Sequence, residues 1–126
     1  MDEPATSPKP TGLGVVAVYV DDLDAALGFY CGLLGFEVSG EMPPGKMIAL
    51  GDLKLYVEPG RAQRSPDMVA AETSMVLLSD AVLELRDQLE AAGAALVGEP
   101  MGDGATFAMF RVADPAGNLV EIAGKP

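Results

Sequence analysis

The chain contains no histidine and only one cysteine, Cys31. The missing histidine excludes a Ser-His triad, a histidine general base and every histidine-bearing zinc or iron site. A lone cysteine excludes both a thiolate cage and an intrachain disulfide framework. Any metal would therefore need oxygen ligands alone. Basic residues are also scarce, eight against nineteen acidic ones, for a formal charge of −11. Nucleic acid calls for a basic face, so it is excluded as a partner. The acidic balance fits a cationic ligand drawn into an acidic cleft, and equally an ordinary soluble surface. No apolar run approaches the roughly 18 residues of a membrane span, so no membrane partner is expected. The opening "MDEPATSPKP" has neither a basic n-region nor an apolar h-region. The expectation is a soluble, cytoplasmic protein.

What is present is a repeated order of elements. Residues 1–11, with three prolines, read as a flexible N-terminal arm. "VVAVYV" (Val15–Val20) has strand composition, and Asp21 and Asp22 follow as helix-cap candidates. Leu23, Ala26, Leu27, Tyr30, Leu33 and Leu34 then recur at helical spacing, closed by Gly35. Strands follow around Phe36–Val38, Lys46–Leu50 and Leu53–Glu58, with a turn at Pro43-Pro44-Gly45. The order returns in "SMVLLSD" (Ser74–Asp80), a strand running into a cap at Asp80, a helix through Leu83, Leu85, Leu89 and Ala92 closed by Gly93, and strands at Leu96-Val97, Thr106–Val112 and Leu119–Ile122. Anchored on Gly35 and Gly93, the halves superpose with an offset of 58. This is an internal duplication of a βαβββ unit. It predicts one domain over 12–126: module one 12–58, linker 59–72, module two 73–126. In "DPAGN" (Asp114–Asn118), Pro115 and Gly117 supply the dihedrals of a bulged hairpin joining the last two strands.

"VVAVYVDDLDAALGFYCGLLGFEV" and "FRVADPAGNLVEI" resemble the opening and closing signatures of vicinal oxygen chelate proteins, the glyoxalase, bleomycin resistance and extradiol dioxygenase superfamily. The resemblance covers residues 14–123. It implies an α+β fold, two βαβββ modules in tandem forming an open curved mixed sheet around a cavity. It does not select an activity, because members include metal enzymes and metal-free bleomycin-binding proteins. In the metal enzymes, four ligands come from corresponding strands of the two halves. Carried over residue by residue, they fall on Val15, Lys54 (or Tyr56, if the register slips by two), Ser74 and Glu121. Only Glu121 keeps a ligand, and one carboxylate cannot hold a divalent ion against water. The expectation is no metal and no cofactor, with Lys54 and Glu121 either forming an ion pair in the vacated place or solvated separately.

Strand alternation then selects the side chains on the ligand side of each strand: Val15, Ala17 and Tyr19; Lys54 and Tyr56; Ser74, Val76 and Leu78; Leu119, Glu121 and Ala123. Phe107, Met109 and Arg111 join them, or Phe110 on the other parity. Tyr19, Lys54, Tyr56, Ser74, Phe107, Met109, Arg111 and Glu121 are the candidate ligand-binding residues, and Tyr19 and Tyr56 serve equally well as core. Phe29, Tyr30 and Phe36 are expected in the core, and Cys31 buried and inert. Apolar walls with a few orienting polar groups are the make-up of a small-molecule pocket. Three functions follow. One is a metal-free protein binding a hydrophobic or cationic small molecule. The second is an enzyme, such as a glyoxalase-like lyase or isomerase, with Glu121 as acid or base. The third is a regulatory or structural domain with an unused cavity. A homodimer is expected, since a lone βαβββ sheet face needs a neighbour.

Overall fold

The computed structural model describes residues 13–60 and 75–126. Two modules follow one another with the same topology. In the first, β1 (Val16–Val20) leads into helix α1 (Leu23–Leu27), which widens into a π-helical turn (Gly28–Leu33) before β2 (Glu37–Met42), β3 (Gly45–Leu50) and β4 (Leu53–Pro59). In the second, β5 (Met75–Ser79) and α2 (Val82–Ala91) precede β6 (Ala95–Met101), β7 (Ala108–Ala113) and β8 (Leu119–Gly124). Each module closes its own open four-stranded mixed sheet, in the orders β1-β4-β3-β2 and β5-β8-β7-β6. The strand order is the same in both, as duplication requires. The first and last strands of each module run parallel and the hairpins antiparallel.

The offset of 58 holds from the helices to β2 and β6 and then drifts. In the parallel pairs Val16 faces Leu55 and Met75 faces Val120, so the last strands lie about 65 residues apart. The extra residues sit between β6 and β7 and in the "DPAGN" turn. The strand expected from Thr106 starts only at Ala108. Asp103 explains the delay: its Oδ1 accepts from the backbone N–H groups of Ala105, Thr106 and Phe107 at 2.9, 2.7 and 2.9 Å. Those donors are withdrawn from any ladder. The Thr106 hydroxyl, which also donates to this carboxylate, and the three N–H groups hold the Asp103 carboxyl well below the usual range.

Caps behave largely as their residues dictate. Asp22 accepts from the Ala25 N–H at 3.1 Å at the start of α1, and Gly35 and Gly93 end their helices at φ +85° and +84°. Asp80 does not cap α2. The N-cap is Ala81, whose N–H is held by Ser79 Oγ at 3.0 Å. The Val82 N–H instead donates to the Lys125 carbonyl at 2.9 Å. That carbonyl arrives there because β8 runs parallel beside β5 and delivers the chain end to the helix start. The linker begins later than expected, since Pro59 belongs to β4 opposite Val20 and the Gly60 N–H donates to the Val20 carbonyl. Most of the expected linker, and the expected arm, lie outside the described residues.

The core runs through both modules. Val18, Val20, Leu55, Val57 and Ile48 of the first sheet, and Phe110, Val112, Val120 and Ile122 of the second, join one buried cluster with Phe29, Tyr30 and Phe36. The π turn turns both members of the Phe29-Tyr30 pair inward. The Leu34 N–H reaches back five residues to the Phe29 carbonyl at 3.1 Å. The rings of Phe29 and Tyr30 meet edge to face at 5.0 Å, and those of Tyr30 and Phe36 at 5.8 Å. Tyr30 also ties the modules together. Its hydroxyl donates to Asp114 Oδ2 at 2.9 Å, and Asn118 Nδ2 donates to the Tyr19 carbonyl at 3.0 Å. Burial and the Asp114 charge push the Tyr30 hydroxyl above its ordinary pKa.

Candidate ligand-binding site

One face of each sheet packs on its helix, and among the described residues the other is free of helices. β7 shows the division most cleanly: Ala108, Phe110 and Val112 are buried, while Met109, Arg111 and Ala113 alternate outward, half-buried. This decides the parity that one sequence left open. Met109 and Arg111 line the helix-free face, and Phe110 belongs to the core. Phe107 lies just before the strand and is exposed.

Cross-strand register sets the helix-free face of the second sheet out in rows. One row runs Val97, Arg111, Glu121, Val76, and the next runs Met101, Met109, Ala123, Leu78. A single ion pair is thus surrounded by apolar side chains. Arg111 Nε donates to Glu121 Oε1 at 3.1 Å, with the two side chains 40% and 18% exposed. The partner of Glu121 is therefore Arg111, one strand away, and not Lys54. Lys54 is exposed on the other sheet, opposite Ala49. Directly opposed residues hold their Cβ atoms only about 5 Å apart, so the neighbouring strand supplies the nearer cation.

The same rows exist in the first sheet, where Gly40, Met47, Tyr56 and Ala17 occupy the places of Val97, Arg111, Glu121 and Val76. Tyr56 faces Ala17 as Glu121 faces Val76, so Tyr56, not Lys54, stands at the counterpart of Glu121. Its hydroxyl is already engaged. It donates to the Met42 carbonyl at 2.8 Å and accepts from the Gly45 N–H at 3.2 Å, bracing the Pro43-Pro44 hairpin. Tyr19 lies half-buried on the same face, paired with Glu58. Ser74 falls outside the described residues. Sequence reasoning missed Met47, Val97 and Met101. The signal that finds them is their register opposite Tyr56, Arg111 and Met109, which alternation within one strand does not supply. A separate hollow of about 410 Å³ lies between the π turn and module two, against Phe29, Leu33, Ala94 and Pro115.

The donor set does not fit the divalent ion that metal-dependent folds of this kind hold. Of the corresponding positions, Val15 has no donor atom, Tyr56 is committed to its hairpin, and Glu121 is paired with a guanidinium. Among the described residues no three Cys, Asp or Glu side chains converge elsewhere.

A family model described as Glyoxalase/Bleomycin resistance protein/Dioxygenase superfamily matches residues 12–122, and the chain belongs to that superfamily. Among solved structures, it is similar to lactoylglutathione lyase from Agrobacterium tumefaciens at 23% identity and TM-score 0.67, over 92% of this chain and 95% of that one. It is similar to the fosfomycin resistance protein FosX from Mesorhizobium loti at 15% identity and TM-score 0.71, over 94% and 95%. A FosX mutant from Listeria monocytogenes, complexed with Mn(II) and 1S,2S-dihydroxypropylphosphonic acid, is 17% identical with TM-score 0.69, over 94% and 93%. At these identities the likeness speaks for the fold. No curated protein matches the chain. No helix among the described residues is long and apolar enough to cross a membrane.

The ion pair can be weighed by a double-mutant cycle. Arg111→Met and Glu121→Leu should each destabilise by about 1–2 kcal/mol, less than a fully buried pair because Arg111 is substantially solvated. The double variant should recover about 1 kcal/mol of the sum, read by denaturant melts. Lys54→Met should stay within about 0.5 kcal/mol of the unmodified protein. Additive Arg111 and Glu121 effects would show the pair to be energetically idle.

Proposed function

We propose that the protein binds a small, largely apolar molecule on its helix-free sheet faces, without a metal and without chemical conversion. The observation that carries this is the pairing of Glu121 with Arg111. It neutralises the one carboxylate surviving from the family's ligand pattern and leaves it inside an apolar surround. The same pairing counts against Glu121 as a general base, since its Oε1 is already engaged by Arg111 Nε. The overall charge of −11 still favours the approach of a cationic ligand, although the site itself is locally neutral. Metal analysis of protein purified without added metal should find zinc, iron, nickel and manganese far below one per chain. A library of apolar small molecules should include compounds that raise the melting temperature equally with and without chelator. A ligand at a hundredfold excess over its Kd stabilises by about 2.7 kcal/mol. Shifts that vanish with chelator, or stoichiometric metal, would reject the proposal.

The proposed working form is a homodimer. Among the described residues β1 and β5 are both edge strands, and Leu78 on β5 is 86% exposed with Val76 beside it. An open edge flanked by apolar side chains is a template for pairing with another copy. Light scattering at micromolar concentration should give twice the chain mass, and Leu78→Asp should shift it toward the monomer. A monomer mass for the unmodified protein would refute the dimer.

A further inference from the structure

The Arg111–Glu121 pair leaves polar capacity unused on an apolar face. A guanidinium carries five N–H donors, and Glu121 takes only the one on Nε. Among the described residues neither side chain has another hydrogen-bond or ionic partner. The Nη donors of Arg111 and the Oε2 acceptor of Glu121 are therefore left over by this bond. Around them lie Val97, Val76, Met109 and Met101, of which Val97, Val76 and Met101 are substantially exposed.

We infer that this pair recognises an uncharged donor–acceptor head group, an amide as in a primary carboxamide or lactam, carried on an apolar body lying along Met109 and Met101. The inference rests on the proposal that this face binds a small molecule. An amide carbonyl accepts from an Arg111 Nη group while its N–H donates to Glu121 Oε2. Both bonds are charge-assisted, and the two side chains stay paired with each other. A carboxylate or phosphate in the same place would meet the Glu121 carboxylate and the net negative chain. A cation would meet Arg111. A neutral group with both hydrogen-bonding functions satisfies the pair without a like-charge contact. A purely apolar ligand would desolvate the pair and give nothing back.

The test uses the full chain, labelled with ¹⁵N, and four probes sharing one aromatic ring: benzamide, benzoate, benzamidine and toluene. Amide resonances of β7 and β8 are followed during titration. Benzamide should perturb the signals around Arg111 and Glu121 and bind at least about tenfold more tightly than benzoate or benzamidine, as one charge-assisted bond implies. In Glu121→Gln the guanidinium is uncompensated, and preference should swing to benzoate. In Arg111→Met benzamide should lose about tenfold in affinity while toluene is unaffected, with the remaining spectrum reporting that the variant is folded. Benzoate or benzamidine binding best to the unmodified protein would overturn the inference. So would equal binding of all four probes, which would leave the binding proposal standing. No response on β7 or β8 to any probe, toluene included, would overturn both.

Discussion

Asp114→Ala is expected to destabilise the protein by about 3–4 kcal/mol, as a sum of lost and stranded hydrogen bonds. Asp114 is the one buried charged residue of the described core, 3% exposed. Its carboxylate accepts from the Tyr30 hydroxyl, from Asn118 Nδ2 at 2.9 Å, and from the Ala116 and Asn118 N–H groups at 2.9 and 2.8 Å. Alanine strands the Tyr30 hydroxyl in a fully buried place and frees the turn that holds the start of β8. The damage should therefore reach Glu121 as well as stability. Tyr30→Phe is the milder variant, costing about 1.5–2 kcal/mol for one hydrogen bond to a charged group. It also carries a pH signature. Because the Tyr30 pKa is raised in the fold, its contribution is fully present below the ordinary value of 10.0 and is lost as pH rises beyond it. Above that pH the unfolded chain releases a proton that the folded one retains. Chemical melts between pH 8 and 11 should show stability falling at the alkaline end, and Tyr30→Phe should flatten that fall. An Asp114→Ala variant within 1 kcal/mol of the unmodified protein (roughly the cost of an average substitution) would mean that the modules do not depend on this link.

Gly45→Ala should cost about 2–3 kcal/mol, in the range of overpacking against rigid neighbours. A Cβ at Gly45 would sit 2.2 Å from the Val57 carbonyl oxygen and 2.9 Å from Glu58 Cα, both backbone atoms. No side chain can swing aside, so β3 and β4 must separate. The Gly45 N–H also donates to the Tyr56 hydroxyl, so the same change should loosen Tyr56 on the helix-free face. Denaturant melts give the stability, and the β3–β4 amide signals report the separation. Gly40→Ala is the control, because its nearest neighbour is Met47 Cβ at an ordinary 3.8 Å. Equal effects at the two glycines would show that backbone approach is not the cause.

Much of the architecture was legible because it depends on local chemistry. The β-branched run before Asp22, the glycines at 35 and 93 and the "DPAGN" turn act through their own dihedrals and nearest N–H groups. The duplication followed from their order. The helix-free parity of β1, β4, β5 and β8 was legible too, since alternation is a property of the strand itself. Limits appeared wherever one segment had to know about another. Asp103 moved the start of β7 by capturing three donors, and the carbonyl of Lys125 took the capping place expected of Asp80.

The sequence by itself determined the fold family, the absence of histidine and thiolate metal chemistry, and the set of side chains available to a binding face. Only the tertiary structure decided which of them meet. Lys54 and Arg111 are equally good cations for Glu121 on paper. Register placed Arg111 directly across one strand and left Lys54 on the other sheet. Tyr56 likewise became the counterpart of Glu121 through the parallel pairing of β1 with β4, a contact between residues about forty apart in the chain. Such pairings are fixed by how two strands slide into hydrogen-bonded alignment over a shared core. A slip of one residue would exchange every inward side chain for an outward one. That energy belongs to the assembled sheet, and no single segment carries it.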